Sequence, residues 1–395
     1  MTGYDSNNIR TYQKNILSPF IYLCFFIPNM IVGLYPQWAG ADIWKNVDDP
    51  TKFISNIIFY IDIVEVAISV FVFVKIGKYT INSKYNKALI LFTIANAISL
   101  FINGLQEGAF SILAIYFIYF FIANSEFRLP QNLSYFVLFA LIAWIFFPII
   151  DFFTSDIDRQ ILFLGDALGK KDNYLGFSGY AMHKNVYGLF AGLAIVYISF
   201  FNFKNLIKIV LYILLLACIL FSSCRSALLA LLAVWIYSLY ESNKLYISKK
   251  TKKIVIILAL TIIPLYISNI SFFEDEDRRY IFIQFYSIIR SNFIWGTGSY
   301  NTVMSLGTAD PAPAHNFILQ ALADRGIITT TTYLAFLYLL FKKRSIAFKS
   351  FLVYMVIIGL FQPYVSIGIP NYLMTVLLLI PHLCLNNKGQ LKISS

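Results

Sequence analysis

The sequence predicts an all-α, polytopic membrane protein of about twelve transmembrane helices, with a long, partly helical loop between the ninth and the tenth. Three observations predict it. Of 395 residues, 59% are hydrophobic and only 13% charged, about half the charge of an ordinary soluble domain. Apolar runs of near-bilayer length recur from one end of the chain to the other. Lysine and arginine are distributed unevenly over the connections between those runs.

The runs lie near 16–35, 53–75, 87–102, 109–124, 134–151, 186–203, 206–223, 226–240, 254–270, 327–341, 348–364 and 372–387. Several fall slightly below the ~20 residues of a full crossing. Backbone groups in lipid must be satisfied within the segment, so each run is expected to be α-helical. No small-residue cleavage site follows the first run, which reads as a retained helix rather than a signal peptide.

With the N-terminus in the cytoplasm, the inner connections hold about 20 of the 31 Lys and Arg, the asymmetry of a multi-pass inner-membrane protein. Lys75, Lys78, Lys84 and Lys87 form one such group, and Lys249, Lys250, Lys252 and Lys253 another. Both termini then fall in the cytoplasm, and the long connections 152–185 and 271–326 fall on the periplasmic side. The chain 1–395 reads as one integral membrane domain. Its net charge of +11 is explained by inner loops against anionic lipid, so membrane lipids and not nucleic acid are the expected partners. The four cysteines, Cys24, Cys218, Cys224 and Cys384, have no spacing that implies a disulfide framework or a metal knuckle.

The second long loop opens with Glu274, Asp275, Glu276 and Asp277, acidic residues that suit the positive end of a helix. Helical spacing follows over 278–290. Arg279, Ser287 and Arg290 share one stripe, while Arg278 heads another with Phe282, Phe285 and Ile289. This predicts a helix lying on the membrane surface with its apolar side down. Arg279 and Arg290 read first as solvated charges on the wet face and second as candidate substrate contacts. Arg278 heads an apolar face, where an unpaired guanidinium is costly, and is the candidate anion ligand. Gly296-Thr-Gly298 reads as a tight turn sooner than a phosphate loop, because no strand precedes it. Pro311 and Pro313 then lead to Ala314-His315-Asn316, where the His315 imidazole suits proton transfer near neutral pH.

The first long loop ends in Met182-His183-Lys184-Asn185 at a predicted helix start, either as helix caps or as an anion site. Arg225 stands in Ser222-Ser-Cys-Arg-Ser226, a short break between two apolar runs on the outer side. It either snorkels to the interface or faces a cavity that the flanking small residues leave open. Asp62 and Glu65, inside the second run, are the residues that would favour a transporter. No acidic cluster has metal-ligand spacing, and no Ser-His-Asp signature or nucleotide motif occurs. Several arginines and two histidines beside a membrane fit recognition of a lipid pyrophosphate by planar guanidinium forks, with an imidazole to take a proton. That is glycosyl transfer from a lipid-pyrophosphate donor without a metal or other cofactor.

The block Arg278…Asn292-Phe-Ile-Trp-Gly-Thr-Gly298…Ala314-His315-Asn316-Phe-Ile-Leu-Gln320…Gly326 resembles the signature region of the O-antigen ligase and O-antigen polymerase superfamily. Ser222-Ser-Cys-Arg-Ser-Ala-Leu-Leu229 resembles that family's Ser-rich Arg motif, and His183-Lys-Asn-Val-Tyr-Gly188 its His-Lys-Asn motif. The match spans 176–340; Phe293 stands where the family often has Pro, and Phe282 where it often has Trp. The resemblance implies a GT-C-like, metal-independent glycosyltransferase acting on undecaprenyl-diphosphate-linked oligosaccharide at the periplasmic face, together with a chain-length regulator. It implies that Arg225 and Arg278 hold the donor pyrophosphate and that His315 serves the acceptor hydroxyl. His183, Lys184 and Asn185 would line the substrate path, with Arg279, Arg290 and Asn316 as further contacts. The His-Lys-Asn motif favours a polymerase of repeat units. The alternatives are a ligase to lipid A–core and, through Asp62 and Glu65, a transporter.

Overall fold

A computed structural model describes residues 84–104, 131–155, 157, 160, 164, 176–179, 184–201, 203–241, 276–298, 314, 316–342 and 346–361. Eight helices and no strand occur among them. They are α1 (Lys84–Asn103), α2 (Gln131–Thr154), α3 (Lys184–Ser199), α4 (Asn205–Phe221), α5 (Arg225–Glu241), α6 (Glu276–Ser291), α7 (Phe317–Lys342) and α8 (Ile346–Gly359). The fold is therefore all-α over the described residues. The apolar runs near 87, 134, 186, 206, 226 and 348 each became a helix. Those near 16–35, 53–75, 109–124, 254–270 and 372–387 lie outside the described residues, as do Asp62 and Glu65. Among the described residues no helix is long and apolar enough to cross a membrane. α4 and α5 have 17 residues each, a turn short of the usual ~20.

The hydropathy reading leaves 317–326 in the loop; the structure makes it the first part of α7. The polarity that hides this helix is internal. Asn316 caps it, its Oδ1 accepting from the amides of Ile318 and Leu319 at 2.9 and 3.1 Å. One turn on, Gln320 Nε2 donates to both oxygens of Asp324 at 3.0 Å. At Gly326 (φ 72°, ψ 178°) the helical path breaks before resuming in the apolar run.

α3 is the central helix, touching α2, α4, α5 and α8. Its residues Tyr187 to Ala194 are buried in succession. Gly188 and Gly192 make that possible. A Cβ on Gly188 would collide with Cys224, and one on Gly192 with the Tyr354 hydroxyl, which donates to Leu189 O at 2.8 Å. Aromatic rings fill the rest: Phe177 meets Tyr187 and Phe221 with centroids 5.0 and 4.9 Å apart, and Trp144 meets Phe190 at 4.6 Å. A second layer joins α1 to α7 through Phe92, Tyr333 and Phe336. α8 bridges the layers, touching α3, α5 and α7.

The connections group at two ends. Glu241 at the end of α5 meets Lys349 near the start of α8 at 2.8 Å, and Lys349 also lies over Phe341. This is the end with the basic connections. At the other end lie Asn103, Phe177, the 222–225 turn, Trp295, Asn316 and Leu360, in or at the edge of connections that charge assigns to the outside.

Candidate functional site

Two junctions at this second end carry most of the sequence-predicted residues. The first joins α3, α4 and α5. α4 ends at Phe221, and Ser222 and Ser223 close it, their amides donating to Cys218 O and Leu220 O at 2.9 and 3.0 Å. Ser223 takes a left-handed conformation (φ 56°), so α5 begins two residues later, at Arg225. The turn is held from two sides. Phe177 donates its amide to Phe221 O at 3.1 Å, and the Cys224 thiol points to Asn185 O at 3.5 Å. The aliphatic stem of Lys184 lies over Gly176, where a Cβ would stand 2.8 Å from Lys184 Cδ and 2.6 Å from Ser222 O.

The structure thus brings Lys184 and Asn185 of one motif against the Arg225 turn of the other. Burial holds the Cys224 thiol above its ordinary range, opposed in part by Ser226 and the Lys184 ammonium. The N-termini of α3 and α5 open at this junction, beside an exposed Arg225 and a half-buried Lys184. Two helix starts and two basic residues therefore occupy one junction, and helix N-termini favour anions. His183, the remaining member, lies outside the described residues.

The second junction joins α6, α7 and α1. The apolar stripe of α6, which the periodicity predicts to lie on the membrane surface, is covered by α7 instead. Phe285 is fully buried and packs with Ile281, Ile288 and Ile289 against Ala323 and Leu319 of α7. A protein face covers that stripe because α7 begins ten residues before the apolar run and supplies one. Ser287 and Arg290 are exposed on the opposite stripe, as the spacing predicts. Of Arg278 and Arg279 the backbone is described. Position 278 shares the register of Phe285, and position 279 that of Arg290.

After α6 the chain enters the Asn292–Gly298 turn, which completes the broken rung of α7. In an unbroken helix Ala323 O and Asp324 O would accept from the amides of 327 and 328. Here they accept from Thr297 N and Gly298 N, both at 2.9 Å, while Ile327 N donates to Phe293 O at 2.9 Å. The fit requires glycine on both sides. A Cβ on Gly296 (φ 71°) would strike Arg325 N, and one on Gly326 would strike Ile294 O. The Gly-x-Gly is therefore a docking turn, in line with the tight-turn reading. Ser99 Oγ and Asn103 Nδ2 of α1 hold the turn from the far side, donating to Trp295 O at 2.7 and 3.2 Å.

Asn316 has its Oδ1 engaged in the cap, and its Nδ2 donates to Leu360 O at 3.2 Å. The approach to it is fixed by Ala314 N, which donates to Gln320 Oε1 at 2.8 Å. His315, between them in sequence, lies outside the described residues. The sequence reading missed Asp324 and Arg325. Both are fully buried, and Arg325 is the largest fully buried side chain among the described residues. Their signal was present: adjacent opposite charges at the mouth of an apolar run, with Gln320 four residues before Asp324. Among the described residues no group of His, Cys, Asp and Glu could hold a metal ion. No protein-family model and no curated protein sequence matches this chain.

Proposed function

We propose that this chain is a multi-pass inner-membrane glycosyltransferase that polymerises lipid-linked oligosaccharide repeats at the periplasmic face. The observation that carries the reading is the meeting of the Lys184-Asn185 helix start with the Arg225 turn, at the end that also receives the α6–α7 junction. Segments about 40 positions apart, each singled out in the sequence as a candidate anion site, meet at one junction through the Lys184 stem, Ser222 and Cys224.

A membrane setting is supported by the apolar exterior. Phe101, Phe139, Leu206 and Phe153 are 84%, 73%, 72% and 71% exposed. So many bare large side chains are unfavourable in water and natural in lipid. Helices a turn short are accommodated by local thinning and by snorkelling of flanking residues.

In this reading the donor glycan is bound through its C1–O bond to undecaprenyl pyrophosphate. A hydroxyl of the incoming repeat attacks C1, the C1–O bond to pyrophosphate breaks, and the new glycosidic bond forms. The hydroxyl proton passes to His315. Negative charge grows on the departing pyrophosphate, where Arg225, Lys184 and Arg278 stabilise it. The resemblance supplies the roles of His315, His183 and Arg278; the junction supports those of Lys184 and Arg225.

A deletion strain tests the proposal through its surface glycan. Loss of the ladder with a single repeat still attached to lipid A–core is expected of a polymerase. Loss of all repeats would make the chain a ligase. An unchanged ladder would remove the glycosyltransferase reading. In the same strain Arg225→Ala should fail to restore the ladder while accumulating in the membrane, and Arg225→Lys should restore little, lacking the bidentate fork.

A further inference from the structure

We propose that Ser99, seconded by Asn103, is a positioning residue that aims α6 and its Arg278 position; this rests on the glycosyltransferase reading of the site. α1 lies outside the region of family resemblance and carries no candidate site residue of the sequence analysis. Its side facing α7 is nevertheless polar at one end: Asn96, Ser99 and Asn103 recur at helical spacing after Phe92. Ser99 is fully buried, and its hydroxyl makes the short 2.7 Å bond to Trp295 O. Asn103 Nδ2 is shared between Ser99 O at 2.9 Å and Trp295 O at 3.2 Å. Two donors thus converge on one carbonyl of a segment almost 200 positions away.

That carbonyl holds a strategic place. The backbone groups of Phe293, Thr297 and Gly298 are engaged with α7 at its break. Trp295 O is the group by which the same turn is fastened to a second helix. The turn is also continuous with α6, since Asn292 N donates to Ile288 O at 3.0 Å and Gly296 N to Asn292 O at 2.9 Å. From the turn back to position 278, α6 is a rigid lever of about 20 Å. A tilt of about 10° at its base moves the far end by roughly 3–4 Å by that length, beyond the tolerance of a productive reacting geometry. The grip on α7 fixes the turn along one direction. The grip on α1 fixes it against rotation about that attachment.

The test uses the full-length protein in lipid nanodiscs, as wild type, Ser99→Ala/Asn103→Ala and Thr93→Ala. Thr93 bonds within α1, to Leu89 O, and serves as the control. Amide hydrogen exchange is read over 276–298, and turnover with lipid-linked repeat units is measured alongside. In the double variant, exchange over 276–298 is expected to rise about fivefold to tenfold, the loss of one to two modest hydrogen bonds, with α3 to α5 unchanged. Turnover should fall at least about tenfold with a much smaller rise in the KM for donor, because Lys184 and Arg225 are untouched while the Arg278 position is displaced. Thr93→Ala should change neither. Unaltered exchange over 276–298, or a rise spread over the whole chain, would overturn the positioning role. A parallel shift in KM and turnover would do the same. If exchange responds as expected but wild type makes no polymer, the strut stands and the glycosyltransferase reading fails.

Discussion

Replacing Gly326 by alanine probes the joint on which α6, α7 and α1 meet. Gly326 sits at φ 72° and ψ 178°, a region open almost only to glycine, and an L side chain there costs about 1–3 kcal/mol in backbone strain. The added Cβ would also collide with Ile294 O and stand 2.5 Å from Trp295 N. These are backbone atoms of a turn fixed on two sides, so no flexible side chain can yield. Relief requires the turn to lift, which breaks the bonds of Thr297, Gly298 and Ile327 to the rung, each worth about 0.5–1.5 kcal/mol net. Strain and lost bonds together give about 2.5–7.5 kcal/mol, a large part of the 5–15 kcal/mol of a typical fold. The measurement is thermal unfolding of the purified protein in detergent, with limited proteolysis of the loop. The variant should unfold many degrees lower and be cut first between 292 and 298. Stability within about 1 kcal/mol of wild type, with an uncut loop, would refute the rung-completion argument.

The first junction has an analogous test: Gly188→Ala forces Cys224 and Ser222 away from α3, should cost about 1–3 kcal/mol, and should weaken donor binding along with stability. At the opposite end, the Lys349 ammonium and then the Tyr237 hydroxyl hold the Glu241 carboxyl below its ordinary range. A depressed carboxylate contributes stability above its unfolded pKa of about 4.3 and loses it as pH falls through the folded value. The unfolding midpoint should therefore drop between about pH 5 and 3, by no more than about 1 kcal/mol equivalent at this partly exposed pair, and Glu241→Gln should flatten that dependence. Thr329 is fully buried, and its hydroxyl finds no hydrogen-bond partner among the described residues. Thr329→Val should then raise the unfolding midpoint by about 1 kcal/mol equivalent; a lower midpoint would mean that a bridging water serves the hydroxyl.

Legibility followed the reach of each interaction. Helices with an uninterrupted apolar run were plain, because burial or lipid exposure acts on every residue of the run; α4 and α5 lie within two residues of the runs 206–223 and 226–240. The start of α7 was not plain, because Asn316 is spent on the cap and Gln320 and Asp324 satisfy each other, and so can be polar inside a helix. The two stripes of α6 were legible from spacing alone. What covered its apolar stripe was not, since that depends on the hidden first turns of α7. Lys184 and Arg225 were each legible as a cation at a helix start. Their common junction depends on Gly176, Gly188 and the left-handed Ser223, and glycines announce close approach without naming the partner. Ser99 gave no signal, since a serine in an apolar helix ordinarily bonds within its own backbone.

Both junctions solve one physical problem in the same way. A helix that ends or breaks strands backbone groups that an apolar surrounding will not solvate. α4 ends in the Ser222–Cys224 turn, whose neighbour Phe177 takes the Phe221 carbonyl; α7 breaks at Gly326, and Thr297, Gly298 and Phe293 complete it. In each case the segment that supplies the missing partner comes from a long interhelical connection and leads to a candidate cation. Phe177 lies seven residues before Lys184, and the Asn292–Gly298 turn ends the helix that bears position 278. The loops are thereby fastened by bonds the helices need for their own stability. A loop held in that way cannot drift without unfolding the helix end beneath it. This gives charged groups on long loops a fixed geometry, as the proposed stabilisation of a leaving pyrophosphate would require, and it explains why glycine rather than any ligand-binding side chain dominates the contacts at both joints.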